Sequence, residues 1–202
     1  MRRLRLPRSR SAHRSSRRFR YVVPLLVALV LLVVPAVASA AKGFTERVAS
    51  ARWSTPFQCP DGSIAADGRL IVETDNFIEA GTTPDPNPPL RVGFVGQCPD
   101  GTFSWGFVQA APTQFDPDLK NVSVSGTFAN VRDNRGGLHT VSVDARWTGT
   151  GPIKTTVNGP GSMRKERSAT ATATIVFDGN TLINGAANFP FPAPFIRVDT
   201  EK

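Results

Sequence analysis

Few side chains in this sequence are of a type and spacing that do chemistry. His139 is the only histidine beyond position 40, so a Ser-His-Asp relay would have to use it. No G-x-S-x-G elbow or comparable nucleophile turn accompanies it. One histidine and two cysteines fall short of a zinc site. His139 follows Gly136-Gly137 at the start of an alternating segment, where a solvent-facing or edge histidine is expected rather than a catalytic one. The 16 acids would suffice for a paired-carboxylate hydrolase. Most of them, Asp61, Asp67, Asp100, Asp133 and Asp178 among them, stand in turn sequences where Asp serves backbone geometry. Asp116-Pro117-Asp118 and Asp133-Asn134 lack the spacing of a calcium loop. Trp53, Trp105 and Trp147 would form a sugar-stacking platform only if exposed together. Trp105 and Trp147 share their faces with Phe or Val, which points to core packing. The Thr170, Thr172, Thr174 row is the ordinary wet face of one strand. No catalytic residue, cofactor site or metal site is assigned.

The two cysteines carry the most specific pattern. Gln58-Cys59-Pro60-Asp61-Gly62-Ser63 recurs as Gln97-Cys98-Pro99-Asp100-Gly101-Thr102, 39 residues on, and an Arg precedes each Cys by seven positions, Arg52 and Arg91. Each copy reads as a strand, a Cys at its end, a Pro-Asp-Gly turn and a second strand. Pro presets φ in such a turn and Gly supplies the positive φ that returns the chain. With even parity and no C-x-x-C, a structural Cys59–Cys98 disulfide joining two hairpins is expected, in an oxidising compartment.

The elements that must carry these residues are strands. Val122, Val124 and Phe128 alternate with polar residues, as do Val141, Val143, Ala145 and Trp147; Phe103, Trp105 and Phe107; and Ala169, Ala171, Ala173, Ile175 and Phe177. Period two is what a sheet with one wet face requires. Thr45–Trp53, Arg69–Thr74, Leu90–Gln97 and Phe195–Thr200 are further strands. Turn signals separate them, and no stretch carries a helical stripe. The expected fold is all-β: an antiparallel two-sheet sandwich of about eight or nine strands, with a closed β-barrel as the alternative. Thr83–Pro89 and Phe189–Pro194 are proline-rich loops rather than domain boundaries.

The first forty residues read as an address. Nine arginines and no acid lie there, and Tyr21–Val34 is an apolar run followed by Pro35 and Ala36-Val37-Ala38-Ser39-Ala40-Ala41. A charged region, an apolar helix and an A-x-A site make a signal peptide over 1–40, cleaved between Ala40 and Ala41, leaving a single all-β domain over 41–202. Cleavage after Ala38 is the second frame. An uncleaved membrane anchor is the alternative, disfavoured by the shortness of the dense apolar run. The net charge of +8 belongs to this leader: beyond it, 15 basic residues face 16 acids, a net of −1. The inference from a basic chain to nucleic acid or anionic membrane therefore fails for the body.

Ser125-Gly126-Thr127, Trp147-Thr148-Gly149-Thr150-Gly151-Pro152 and the alternating run Ser168–Ile175 resemble segments of uncharacterised secreted bacterial β-sandwich proteins. The resemblance covers about a third of the chain. It implies export and a sandwich fold, and assigns no activity. The function expected from these readings is a secreted or envelope-associated, non-catalytic β domain, binding or structural. Its expected partner is a cell-envelope polymer or a protein, with no nucleic acid and no membrane contact after cleavage. A carboxylate-based extracellular hydrolase or isomerase is the alternative.

Overall fold

A computed structural model describes residues 43–202. The leader and the Ala40–Ala41 cleavage site lie outside the described residues. Among the described residues there are ten strands and no helix: β1 (Phe44–Gln58), β2 (Ile64–Glu79), β3 (Pro89–Cys98), β4 (Gly101–Ala110), β5 (Thr113–Phe115), β6 (Asn121–Arg132), β7 (Leu138–Gly159), β8 (Ser162–Phe177), β9 (Asn180–Ala186) and β10 (Phe195–Glu201). Alternation places the segments. In β3 every second residue from Leu90 to Cys98 is buried, and in β7 so are Val141, Val143, Ala145 and Trp147. The turn signals act as expected. Gly62 and Gly101 adopt φ of 85° and 120°, closing the two Pro-Asp-Gly turns. Cys59 and Cys98 are disulfide-bonded with Cα atoms 5.9 Å apart, tying the ends of the two hairpins.

All strands pair antiparallel in one sheet of order β4-β3-β2-β1-β10-β8-β7-β6-β5, with β9 added on β8. The sheet does not close into a barrel, so the barrel alternative is set aside. β4 and β6 share no ladder; Trp105 meets Asp133, just beyond β6, in an isolated bridge, and Phe107 packs on Phe128. The reason lies in β6: its register slips between Phe128 and Val131, with Asn130 at φ 59°. This bulge turns the end of β6 towards β4, while β5 occupies the edge at Val122–Val124. Two strands share another edge. β10 pairs with Ser162–Ser168 of β8, and β9 with Thr172–Phe177 of the same strand.

One continuous hydrophobic core takes residues from β1–β4 and from β6–β10. Trp53, Trp105 and Trp147 are 1%, 4% and 1% exposed, so no exposed tryptophan row exists and the core reading of the indoles holds. Each buried indole contributes about 4–6 kcal/mol of burial at roughly 25 cal/mol per Å2. Trp53 Nε1 donates to the Gly185 carbonyl at 3.2 Å, which fastens β9 to β1.

Candidate functional site: a clamped cleft between two strands

The first half of β1, Phe44–Ser50, is laddered to β10. Its second half runs beside β9 with no ladder between them. Side chains bridge the gap instead: Trp53 Nε1 to Gly185, Thr55 Oγ1 to the Leu182 carbonyl at 3.2 Å, and Asn188, which accepts from Ser54 N–H at 2.7 Å and donates to its carbonyl at 2.8 Å. Towards the chain turns the gap widens into a cleft of about 390 Å3. Phe57, Phe94, Phe103, Trp105 and Phe177 form its floor, and Ile64, Leu182, Thr181 and Asn180 its mouth. The floor is a packed aromatic set. Phe94 stacks on Trp105 at 5.6 Å, Trp105 on Phe177 at 5.2 Å, and Phe57 meets Phe94 edge-on at 4.8 Å. Cys59 lies in the wall, so the disulfide fixes one side of the cleft.

Three turns beside the cleft are locked to one another. His139 Nδ1 lies 2.6 Å from Asp178 Oδ2, and Nε2 lies 2.9 Å from Asp133 Oδ2. Ionised carboxylates only accept, so the geometry suits a protonated ring that donates from both nitrogens. Burial, the largest single influence, pushes the His139 pKa down. The hydrogen bonds that the ring makes to Asp133 and Asp178, with their charges, outweigh it, and the pKa lies above the ordinary histidine value. Burial likewise pushes Asp133 and Asp178 up, but the bond to His139 and backbone N–H donors bring both below the usual carboxylate range. Those donors are Arg135 and Gly137 N–H on Asp133, at 2.8 and 2.7 Å, and Thr140 N–H on Asp178 at 2.8 Å. The ring also lies 4.5 Å from Phe177, at the edge of the aromatic floor.

Two further ties reach β4. Arg135 makes a bidentate pair with Asp100 at 2.6 and 2.7 Å, its guanidinium 5.7 Å from the Phe103 ring. Asn134 N–H donates to the Ser104 carbonyl and its side-chain amide to that of Thr102, each at 2.9 Å, while its Oδ1 accepts from Ser104 N–H at 3.0 Å. The β3–β4, β6–β7 and β8–β9 turns are thereby held as one body.

His139, expected as a solvent-facing or edge residue rather than a catalytic one, stands at the start of β7 but does not face solvent. The His139 side chain is only 17% exposed and grips two carboxylates. Asp133 and Asp178 do serve turn geometry, as do Asp61, which accepts Ser63 N–H, and Asp116, which accepts Asp118 N–H. Their second role escaped the sequence, where 39 residues separate His139 from Asp178. The ring offers no free nitrogen to a substrate hydroxyl. Asp178 is the one acid lining the cleft, and both its oxygens are engaged. Among the described residues no cluster of three or more His, Cys, Asp or Glu side chains is placed to hold a metal, and no helix is long and apolar enough to cross a membrane. A carboxylate pair does lie elsewhere. Glu46 on β1 is pushed up first by burial and then by the charge of Asp75 on β2, but neither lines the cleft. The chain matches no protein-family model, no curated protein and no solved structure.

Proposed function

We propose that the chain is an exported, non-catalytic binding domain, its sheet folded over as a two-layer sandwich, which takes an apolar group into the cleft between β1 and β9. The observation that carries the reading is the cleft itself: about 390 Å3 of space over five aromatic rings, with a narrow polar rim. Pockets of this size with apolar walls and a few polar groups hold small ligands or single side chains of larger ones. The disulfide and the His139 and Arg135 clamps hold the turns around it before any ligand arrives, which lowers the ordering cost of binding. Export is supported by the leader sequence and by the oxidised cysteine pair. The ligand is a cell-envelope polymer or a secreted protein that presents an apolar or ring-bearing group.

Trp105 in the cleft floor reports on occupancy. The disulfide-bonded protein is titrated with envelope polymers and secreted proteins of its own source while tryptophan emission is followed. A saturable change, abolished by Leu182→Asp at the cleft mouth, supports the reading. Binding that Leu182→Asp leaves intact, or no binding across the set, overturns it.

A further inference from the structure

A second recess lies on the other side of the sheet. Trp53, Leu70 and Phe94 point into the core, so their neighbours Arg52, Arg69, Ile71, Gly93 and Val95 stand on the opposite face of β1, β2 and β3. The registers Arg52↔Ile71↔Gly93 and Ser54↔Arg69↔Val95 set these side chains in adjacent rows. Phe189, from the loop between β9 and β10, is fixed over this face by its N–H bond to the Arg52 carbonyl at 3.4 Å. Its ring lies 5.4 Å from the Arg69 guanidinium. Together these residues enclose a cavity of about 440 Å3 with no acid in its lining.

One of its arginines is unpaired. Arg52 Nε is buried without a hydrogen-bond partner, and among the described residues Arg52 makes no ion pair. The nearest carboxylate in register terms, Glu73, is turned to Arg91 at 3.6 Å. The contrast is informative, because Arg52 and Arg91 are the equivalent arginines of the two Cys-Pro-Asp-Gly repeats. One is paired and the other is not. Arg69 has only a long contact to Asp67, 3.4 Å between two exposed side chains. The terminal nitrogens of Arg52, which lines the recess, make no hydrogen bond or ion pair among the described residues, and an oxyanion there would accept from them. The floor between the arginines is apolar and flat, because Gly93 contributes no side chain between Ile71 and Val95, and the Phe189 ring closes one side.

We infer that this recess binds a planar, ring-bearing carboxylate, its oxygens on Arg52 and Arg69 and its ring over Gly93 against Phe189. Both halves are required. The arginines alone hold an anion weakly in water, and the apolar floor alone does not orient it. The recess shares Phe94 and Trp105 with the cleft between β1 and β9 but is lined by the outward-facing Arg52 and Arg69, and its ligand carries a charge that the cleft does not call for.

The test uses 1-naphthoate as the probe, with 1-naphthylmethanol as its uncharged analogue and acetate as the anion without a ring. Each is titrated into the disulfide-bonded protein and followed by amide chemical shifts. Naphthoate is expected to give saturable shifts centred on Arg52, Gly93 and Val95, with the other two probes at least tenfold weaker. Arg52→Met should weaken naphthoate at least tenfold. A second variant keeps both charges: a Cβ at Gly93 meets only Ile71 Cγ2, at 3.3 Å, so Gly93→Val fills the floor without striking backbone. It should abolish naphthoate binding while Leu182→Asp leaves it unchanged. Equal affinity for naphthoate and naphthylmethanol, retention of binding by Gly93→Val, or no saturable shifts in the wild-type protein would each overturn the assignment.

Discussion

Replacing His139 with alanine tests the clamp directly, and the structure sets both size and sign. The substitution removes two charge-assisted hydrogen bonds, each worth about 1.5–3 kcal/mol net. They are not equal. The Asp133 side chain is 7% exposed and its bond counts nearly in full, whereas Asp178 is 44% exposed and stays solvated when the ring leaves. Asp133 keeps its two backbone donors, which limits the penalty of stranding it. Loss of ring packing on Phe177 adds about 0.5–1 kcal/mol. The expected cost is about 3 kcal/mol near pH 5.5.

The pH dependence separates this clamp from simple cavity formation. The folded-state pKa of His139 is raised, so its stabilisation is fully present below the unfolded value of about 6.5 and fades as pH rises through the folded value. Asp133 and Asp178 are lowered, so their share is present above about 3.8 and lost as pH falls through their folded values. The wild-type advantage over His139→Ala is therefore greatest between about pH 4 and 6.5 and shrinks in alkali. Urea midpoints of both proteins at pH 5.5, 7 and 9 measure it. A difference that is flat across this series, or that grows towards pH 9, would refute the imidazolium clamp and leave His139 as a packing residue.

Replacing both Cys59 and Cys98 with alanine should cost about 4 kcal/mol by loop-closure entropy over about 40 residues, read as a lower urea midpoint with m equal to or above that of the oxidised protein, because the unfolded chain expands. A loss below about 1 kcal/mol would mean that the ladder from β1 to β3 already confines the hairpins in the unfolded ensemble. Arg135→Ala, which breaks a bidentate but solvent-facing pair, should lower the urea midpoint only slightly, and by less in high salt. A large, salt-independent loss would contradict the exposed geometry. Asp75→Asn should lower the Glu46 pKa and raise stability at pH 7, because it removes a like charge and replaces a buried, unpartnered carboxylate oxygen with a neutral amide. A carboxyl titration by carbon NMR that leaves Glu46 unmoved would show that burial alone raises it.

What the sequence disclosed and what it hid divide along a physical line. Strands with one buried face were legible: Val122, Val124 and Phe128 in β6 and Ala169 to Ile175 in β8 alternate because only one side of each meets the core. The disulfide was legible because it sits at the ends of two nearly identical hairpins. β7 beyond Gly149 was not, since Thr150–Asn158 buries neither face and so carries no period. β9, Asn180–Ala186, was hidden for a different reason: its Asn and Gly have little strand preference, and the open edge of β8 supplies the pairing. The His139 clamp depends on the β7–β8 register Val141↔Phe177, which brings Asp178 across to a histidine far away in sequence.

The cleft follows from lengths that no local pattern encodes. β1 has 15 residues and β8 has 16, while β10 between them has seven. β10 therefore ladders with only half of each long strand. β9, also seven residues, completes the edge of β8 but forms no ladder with β1. The remaining half of β1 is left to side-chain bridges through Trp53, Thr55 and Ser54. A ladder there would close the sheet edge beside Phe57, Phe94 and Phe177; side-chain bridges span the gap instead, and the cleft opens beside these largely buried rings. The opening is thus a consequence of a short final strand, and lengthening β10 across Ala51–Thr55 would seal the cleft while leaving the core as it is.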